Sequence, residues 1–330
     1  MEGVITAWGR ILRGYRPNLS IEITRECPLR CPGCYAYGGT HLGGDVTLRD
    51  LADLKGQALV DGILAAVRRH KPIHLSLVGG EPLVRFRELD TLLPQLAAMG
   101  IYTQVVTSAV RPIPEAWASI PRLQVCVSID GLPAEHDVRR APATYDRILK
   151  HIKGQQITVH ATVTRQIAER DGYLEAFFDF WQHNPDTRLI WVSLYTPQIG
   201  EESAEKLTPD ARRLVVDELR RLAPRYSKVQ LPDGLLRVYA DPPSSPDDCI
   251  FAQTTTCLSA DLERQIAPCQ FGGQPDCENC GCMASGALGA VGRHRLPGGL
   301  RVGTIFDASL RVGRLVSAVR PTAAPRPAGR

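Results

Sequence analysis

Cys27, Cys31 and Cys34 make a C-x3-C-x2-C array, with Tyr35 directly after the last cysteine. A 4Fe–4S cluster is ordinarily held by four thiolates, so three at this spacing leave one iron open to something that is not protein. Structural zinc sites favour paired C-x2-C or C-x2-C/H-x3-H spacings, and none of the eight histidines forms such a pair beside this loop. Disulfides belong to oxidising compartments, and no secretory signal marks the start of the chain, so the reading is a reduced, cytoplasmic protein. Six of the ten cysteines crowd the other end, at Cys249, Cys257, Cys269, Cys277, Cys280 and Cys282. Such crowding argues for metal. A closed zinc site on Cys257, Cys269, Cys277 and Cys280 and an iron–sulfur cluster both suit four sulfurs, and Cys249 is a ligand or a bystander. Cys126, in an apolar run, reads as a buried core thiol.

The elements that must position these groups alternate. Strand patterns lie at Leu19–Thr24, running directly into the first cysteine loop, then at Ile73–Val78, Tyr102–Thr107, Leu123–Ile129, Ile157–Thr164 and Leu189–Leu194. Helical spacing runs through Leu48–His70 and near 86–99, 112–118, 143–153, 167–182 and 209–223, the last opened by Thr208-Pro209, a capping threonine followed by a first-turn proline. Six such units imply a parallel sheet with right-handed crossovers. The count predicts an α/β fold, a partial (β/α)6 TIM-like barrel with its chemistry at the C-terminal strand ends, followed by a small cysteine-rich domain. The expected division is a lead-in at 1–16, a barrel at 17–238, a cysteine-rich domain at 239–312 and a disordered tail at 313–330, where proline is frequent and apolar content low.

Gly79-Gly80-Glu81-Pro82 follows the second strand, and a glycine pair there lets backbone approach a ligand closely. With the three-cysteine loop about fifty residues upstream, this segment resembles the GGEP turn of the radical S-adenosylmethionine (SAM) superfamily. Ser128-Ile129-Asp130-Gly131, with His136-Asp137 and Arg139-Arg140, is similar to the SIDG and HD-x2-RG segments of peptide-modifying members, Arg140 being read in the place of the glycine. The resemblance implies SAM on the open iron, with Gly79, Gly80, Glu81 and Pro82 near its amino group, Ser128 near its ribose or carboxylate, and Tyr35 near the adenine or shielding core. Asp130 reads as a turn residue rather than a base. Thr107-Ser108-Ala109 stands where many relatives carry Thr-Asn-Gly. Cys257 to Cys269 resembles the hairpin of the auxiliary-cluster extensions called SPASM and twitch, which implies one auxiliary 4Fe–4S cluster on a subset of the C-terminal cysteines.

The chemistry implied is reductive cleavage of SAM to a 5′-deoxyadenosyl radical, with an electron donor such as ferredoxin or flavodoxin. The substrate implied is a peptide or protein side chain. Cys277-Glu278-Asn279-Cys280-Gly281-Cys282 is also similar to the terminal segment of adenosyl-hopane synthase-like enzymes, which keeps adenosyl transfer to an isoprenoid lipid open. A non-catalytic iron–sulfur carrier is a third reading, one that needs no SAM turn. A formal charge of +4 on 330 residues, without a basic run interleaved with aromatics, points away from nucleic acid. No run of about eighteen apolar residues predicts a spanning helix. The arginines at 10, 13 and 16 read as part of a solvated lead-in.

Overall fold

The computed structural model describes residues 2–44 and 46–318. Seven parallel strands form one sheet: β1 (Asn18–Glu22), β2 (His74–Val78), β3 (Tyr102–Thr107), β4 (Leu123–Ser128), β5 (Ile157–Val163), β6 (Thr187–Leu194) and β7 (Thr255–Leu258). Their order is β6-β5-β4-β3-β2-β1-β7. The first six are the expected units of a partial barrel. The seventh was not expected: residues 255–258 leave the cysteine-rich region to pair with β1, Cys257 opposite Ser20.

The helices in chain order are α1 (Glu2–Leu12), α2 (Gly56–His70), α3 (Phe86–Ala98), α4 (Pro133–Arg140), α5 (Tyr145–His151), α6 (Arg165–Ala168), α7 (Tyr173–His183), α8 (Pro209–Leu222), α9 (Asp233–Ala240), α10 (Ile250–Thr254), α11 (Met283–Arg293) and α12 (Val302–Ala318). Several depart from the helical spacing for local reasons. The helix expected from Leu48 starts at Gly56, because the Asp50 carboxylate accepts from the Thr47 N–H and hydroxyl and closes a single turn there. Leu48 and Leu51 instead build a small core with Ala36 and Ala260 beside Cys34 and Tyr35. At 112–118 only a 3-10 turn forms, Glu115–Ser119, since Pro112 and Pro114 supply no N–H. The stretch 167–182 is split at Gly172, whose φ is +70°.

The lead-in is not merely solvated. α1 packs on α12, with Trp8 stacked on Phe306 at 5.5 Å and its indole N–H donating to Ser309. The expected tail from 313 begins inside α12; residues 319–330 lie outside the described residues. No helix among the described residues is long and apolar enough to cross a membrane.

Strand alternation divides the sheet into two faces. Ile21, Leu77, Val105, Val127, Val159 and Val192 belong to the main core. The other face is polar. Cys257, Ser20, Ser76, Gln104 and Gln124 form one register row across five strands, and Ser128, His160 and Trp191 form another. Cys126 is a buried thiol, as its sequence reading has it, on the same side of β4 as Gln124 and Ser128.

Candidate cluster and cofactor site

The first cysteine loop leaves the C-terminal end of β1. Cys27 and Cys31 are half-buried against the main core, and Cys34 sits over the small one. Burial pushes the Cys27 thiol up to about 12, opposed by the Leu29 N–H and reinforced by Glu81, Cys31 and Cys34. Burial also raises Cys31, with Arg140 pulling the other way. The three thiols thus sense one another in a partly desolvated pocket, where iron would hold them as thiolates. Among the described residues, no three His, Cys, Asp or Glu side chains converge as one bound ion would require.

Glycines 79 and 80 have φ of +70° and +58°. A Cβ on Gly79 would lie 2.3 Å from the Glu22 Cβ, and one on Gly80 would lie 2.4 Å from the Thr24 carbonyl and 2.5 Å from the Glu26 carbonyl. The close approach these glycines permit is therefore to the chain's own first strand and cysteine loop. Glu81 is fully buried. Its carboxylate accepts from the N–H groups of Leu83 at 2.9 Å and Ser108 at 2.7 Å and from the Thr107 hydroxyl, so it fastens the end of β2 to the end of β3. Burial raises this carboxyl and the three donors pull it down, the net shift being upward.

Asp130 lies in the connection between β4 and α4. It is 2% exposed and accepts from Arg139 at 2.9 Å and Arg140 at 2.7 Å. Burial alone would raise its carboxyl, but the two arginines hold it well below the usual carboxylate range. Arg139 also pairs with Glu205. Arg140 reaches the Ser108 hydroxyl at 3.3 Å and lies within electrostatic range of Cys31 and Cys34. Counting two residues on from His136-Asp137 puts Arg140 on the motif's arginine and Ala141 on its glycine, which corrects the earlier alignment. Ser128 lies beside His160 on the polar face. Burial brings the His160 imidazole down to about 4, and its Nε2 lies 2.8 Å from the Ser193 hydroxyl.

Tyr35 points toward the C-terminal cysteines. Its ring meets Phe271 edge-on at 5.2 Å and His41 at 5.5 Å, and its hydroxyl accepts from the Gln270 amide at 2.7 Å. Five of those cysteines, Cys249, Cys269, Cys277, Cys280 and Cys282, line one small cavity of about 20 Å³. Cys257 is not among them. It stands on β7 facing the polar side, yet lies within electrostatic range of Cys269 and Cys282. Cys249, the doubtful member in the sequence, lines the cavity and lies 3.2 Å from the Ser285 hydroxyl.

Arg212 holds this region in place. Its guanidinium donates to the carbonyls of Tyr239, Asn279 and Cys280 at 2.7, 3.0 and 2.6 Å. Gly281 docks on the end of β6: Leu194 donates to its carbonyl, its own N–H reaches Thr196, and a Cβ there would lie 2.2 Å from the Leu194 carbonyl. The segment 270–283 thus runs from the first cysteine loop to the last barrel strand. Sequence reading missed Glu22, His41, Arg212 and Gln270 in this frame. Only Glu22 carried a signal, a charge at an inward strand position.

Residues 21–162 match the sequence family described as the radical SAM superfamily. The PqqA peptide cyclase of Methylocella silvestris is 26% identical over 167 residues, 48% of this chain and 42% of that protein. Two solved structures share the fold. Streptococcus suis SuiB bound to precursor peptide SuiA gives a TM-score of 0.56 at 17% identity, over 78% of this chain and 61% of that one. Native anSMEcpe with bound AdoMet gives 0.57 at 16% identity, over 81% and 80%. The chain spans less than half the length of the curated relatives it matches.

Proposed function

We propose that this chain, whose residues 21–162 match the radical SAM superfamily, is a radical SAM enzyme that acts on a peptide or protein side chain. The observation that carries the reading is the three-thiol loop at the end of β1, flanked by the buried Glu81 turn and by Arg140 on Asp130. When bound at Cys27, Cys31 and Cys34, a 4Fe–4S cluster with SAM supplies a 5′-deoxyadenosyl radical that can take a hydrogen atom from carbon.

The chain's own residues bind, orient and exclude water. The Gly79–Pro82 turn, held by Glu81, presents backbone to the amino group of SAM, while Arg140 offers its charge to the carboxylate and Ser128 a hydroxyl to the ribose. The polar face of the sheet around Ser128 and His160 would receive the substrate. Cys249, Cys269, Cys277, Cys280 and Cys282, with Cys257 at their edge, are the candidates for one auxiliary cluster. A ferredoxin or flavodoxin would deliver the electron, in the reducing cytoplasm that suits ten free cysteines. The peptide substrate is supported by the likeness to a PqqA peptide cyclase.

The test is anaerobic reconstitution with iron and sulfide, then SAM and dithionite, with detection of 5′-deoxyadenosine. Wild type should form it and Cys31→Ala should not. A protein that holds iron but releases no deoxyadenosine would be an electron carrier instead.

A further inference from the structure

Two hydrogen-bond chains join the first cysteine loop to the C-terminal cysteines. Gln270, directly after Cys269, is the centre of one. Its amide N–H donates to the Tyr35 hydroxyl at 2.7 Å, and Tyr35 directly follows Cys34. Its carbonyl oxygen accepts from the Ser20 hydroxyl at 3.1 Å, and Ser20 is the register partner of Cys257. One side chain therefore touches the neighbours of Cys34 and Cys257 while adjoining Cys269.

His41 is the centre of the other chain. Its Nδ1 lies 2.9 Å from the Phe271 carbonyl, which can only accept, so that nitrogen carries a proton. Its Nε2 lies 2.8 Å from Glu22 Oε1, and the other Glu22 oxygen accepts from the Ser259 hydroxyl at 2.7 Å. Glu22, His41 and Ser259 are all buried. This bridge ties the end of β1 both to the residue after Gln270 and to the residue two beyond Cys257.

We infer that Gln270 and His41 are positioning residues that make the two cysteine sites one mechanical unit, so that filling the C-terminal site holds the Cys27–Cys34 loop in its cluster-binding shape. The inference rests on the reading above that both sites hold iron. Gln270→Leu keeps the bulk but deletes both bonds of the first chain. Tyr35→Phe deletes one of those bonds and leaves the ring contacts with Phe271 and His41. Neither residue needs to be a ligand for its loss to be felt at Cys34.

The experiment follows iron release from the first site of the reconstituted full chain under a chelator, by the electron paramagnetic resonance signal of its reduced cluster. It compares chains with the C-terminal cysteines intact against Cys269→Ala/Cys282→Ala. In wild type, disabling the second site should speed release from the first about tenfold, the order expected for a lost neutral hydrogen bond. Gln270→Leu and Tyr35→Phe should release at the faster rate already, and disabling the second site should add nothing to either. His41→Leu should act likewise, and His41→Gln, whose amide N–H groups can still donate to one of the two acceptors, should recover part of the loss.

Release at the wild-type rate from Gln270→Leu and Tyr35→Phe, or effects that multiply with loss of the second site, would overturn the inference. A general loss of stability would lower the melting temperature of the iron-free chain as well, whereas the coupling leaves Tyr35→Phe within a degree or two of wild type. A wild-type chain that takes up no iron overturns the two-site reading itself, an outcome distinct from uncoupled sites.

Discussion

The Asp130 carboxylate lies 2.7 Å from the Arg140 guanidinium at the C-terminal end of β4, with Arg139 on the same oxygen at 2.9 Å. One buried anion thus holds two cations, both within electrostatic range of Cys31, with Arg140 also in range of Cys34. The pair sets the charge of the cavity before any ligand enters. An arginine fixed in this way keeps donors for an anionic group without the entropy cost of ordering a long side chain on binding.

Replacing Asp130 by asparagine should therefore destabilise the fold by about 3–5 kcal/mol, because it leaves Arg140 without its buried carboxylate and Arg139 with Glu205 alone. Urea denaturation at pH 7 measures this. The pH dependence has a definite sign: the folded carboxyl titrates below its ordinary value of 3.8. Its stabilisation is whole above about pH 4 and fades as pH falls toward the depressed value. Asp130→Asn should lose that component of the acid sensitivity, and an unchanged acid limb would count against the ion pair.

Gly80→Ala should cost about 1–2 kcal/mol for the left-handed backbone and about 1–3 kcal/mol more for the clash with the carbonyls of Thr24 and Glu26. Both carbonyls belong to the segment that enters the first cysteine loop. SAM affinity of the reconstituted protein, measured by calorimetry, should fall at least about tenfold, equivalent to 1.4 kcal/mol. Wild-type affinity in a folded Gly80→Ala protein would refute this role for the turn.

Cys249→Ala should lower the iron bound by a Cys27/Cys31/Cys34 triple-alanine background, since Cys249 lines the C-terminal cavity. Cys126→Ser should leave iron stoichiometry unchanged, because its buried thiol lies on β4 and does not line that cavity. Iron and sulfide analysis of the two variants decides between this assignment and the reverse.

Arg212→Met removes a guanidinium that serves three carbonyls around the Cys277–Cys280 turn. The expected loss is on the order of 3 kcal/mol, from charge-assisted bonds broken and buried acceptors left bare. Iron should leave the C-terminal site first, while the first site keeps its signal longer. Hydrogen exchange over residues 277–283 offers a second measurement, with faster exchange expected in the variant.

A turn and a spacing are local properties, and this is why the sequence alone supplied the C-x3-C-x2-C loop, the GGEP segment and six alternating units. Each rests on residues near one another in the chain, where backbone geometry and period-two or period-3.6 patterning act directly. The seventh strand was not legible because Thr255–Leu258 is only four residues long and needs β1, more than 230 residues away, to complete its hydrogen bonds. The ion pairs of Asp130 were not legible for a related reason: an aspartate before a glycine is locally a turn residue, and only folding brings two arginines of α4 onto it.

The C-terminal cysteines show the same division. Their number could be read from the chain, but their arrangement could not. Cys249 faces the shared cavity and Cys257 the polar side of the sheet because register with Ser20, docking of Gly281 on β6 and the reach of Arg212 determine where each thiol points. Such contacts join segments far apart in sequence, and their energies come from burial and from hydrogen bonds completed only in the folded chain. The sequence by itself determined which chemistry is available at each cysteine; the tertiary structure decided which of them face one another.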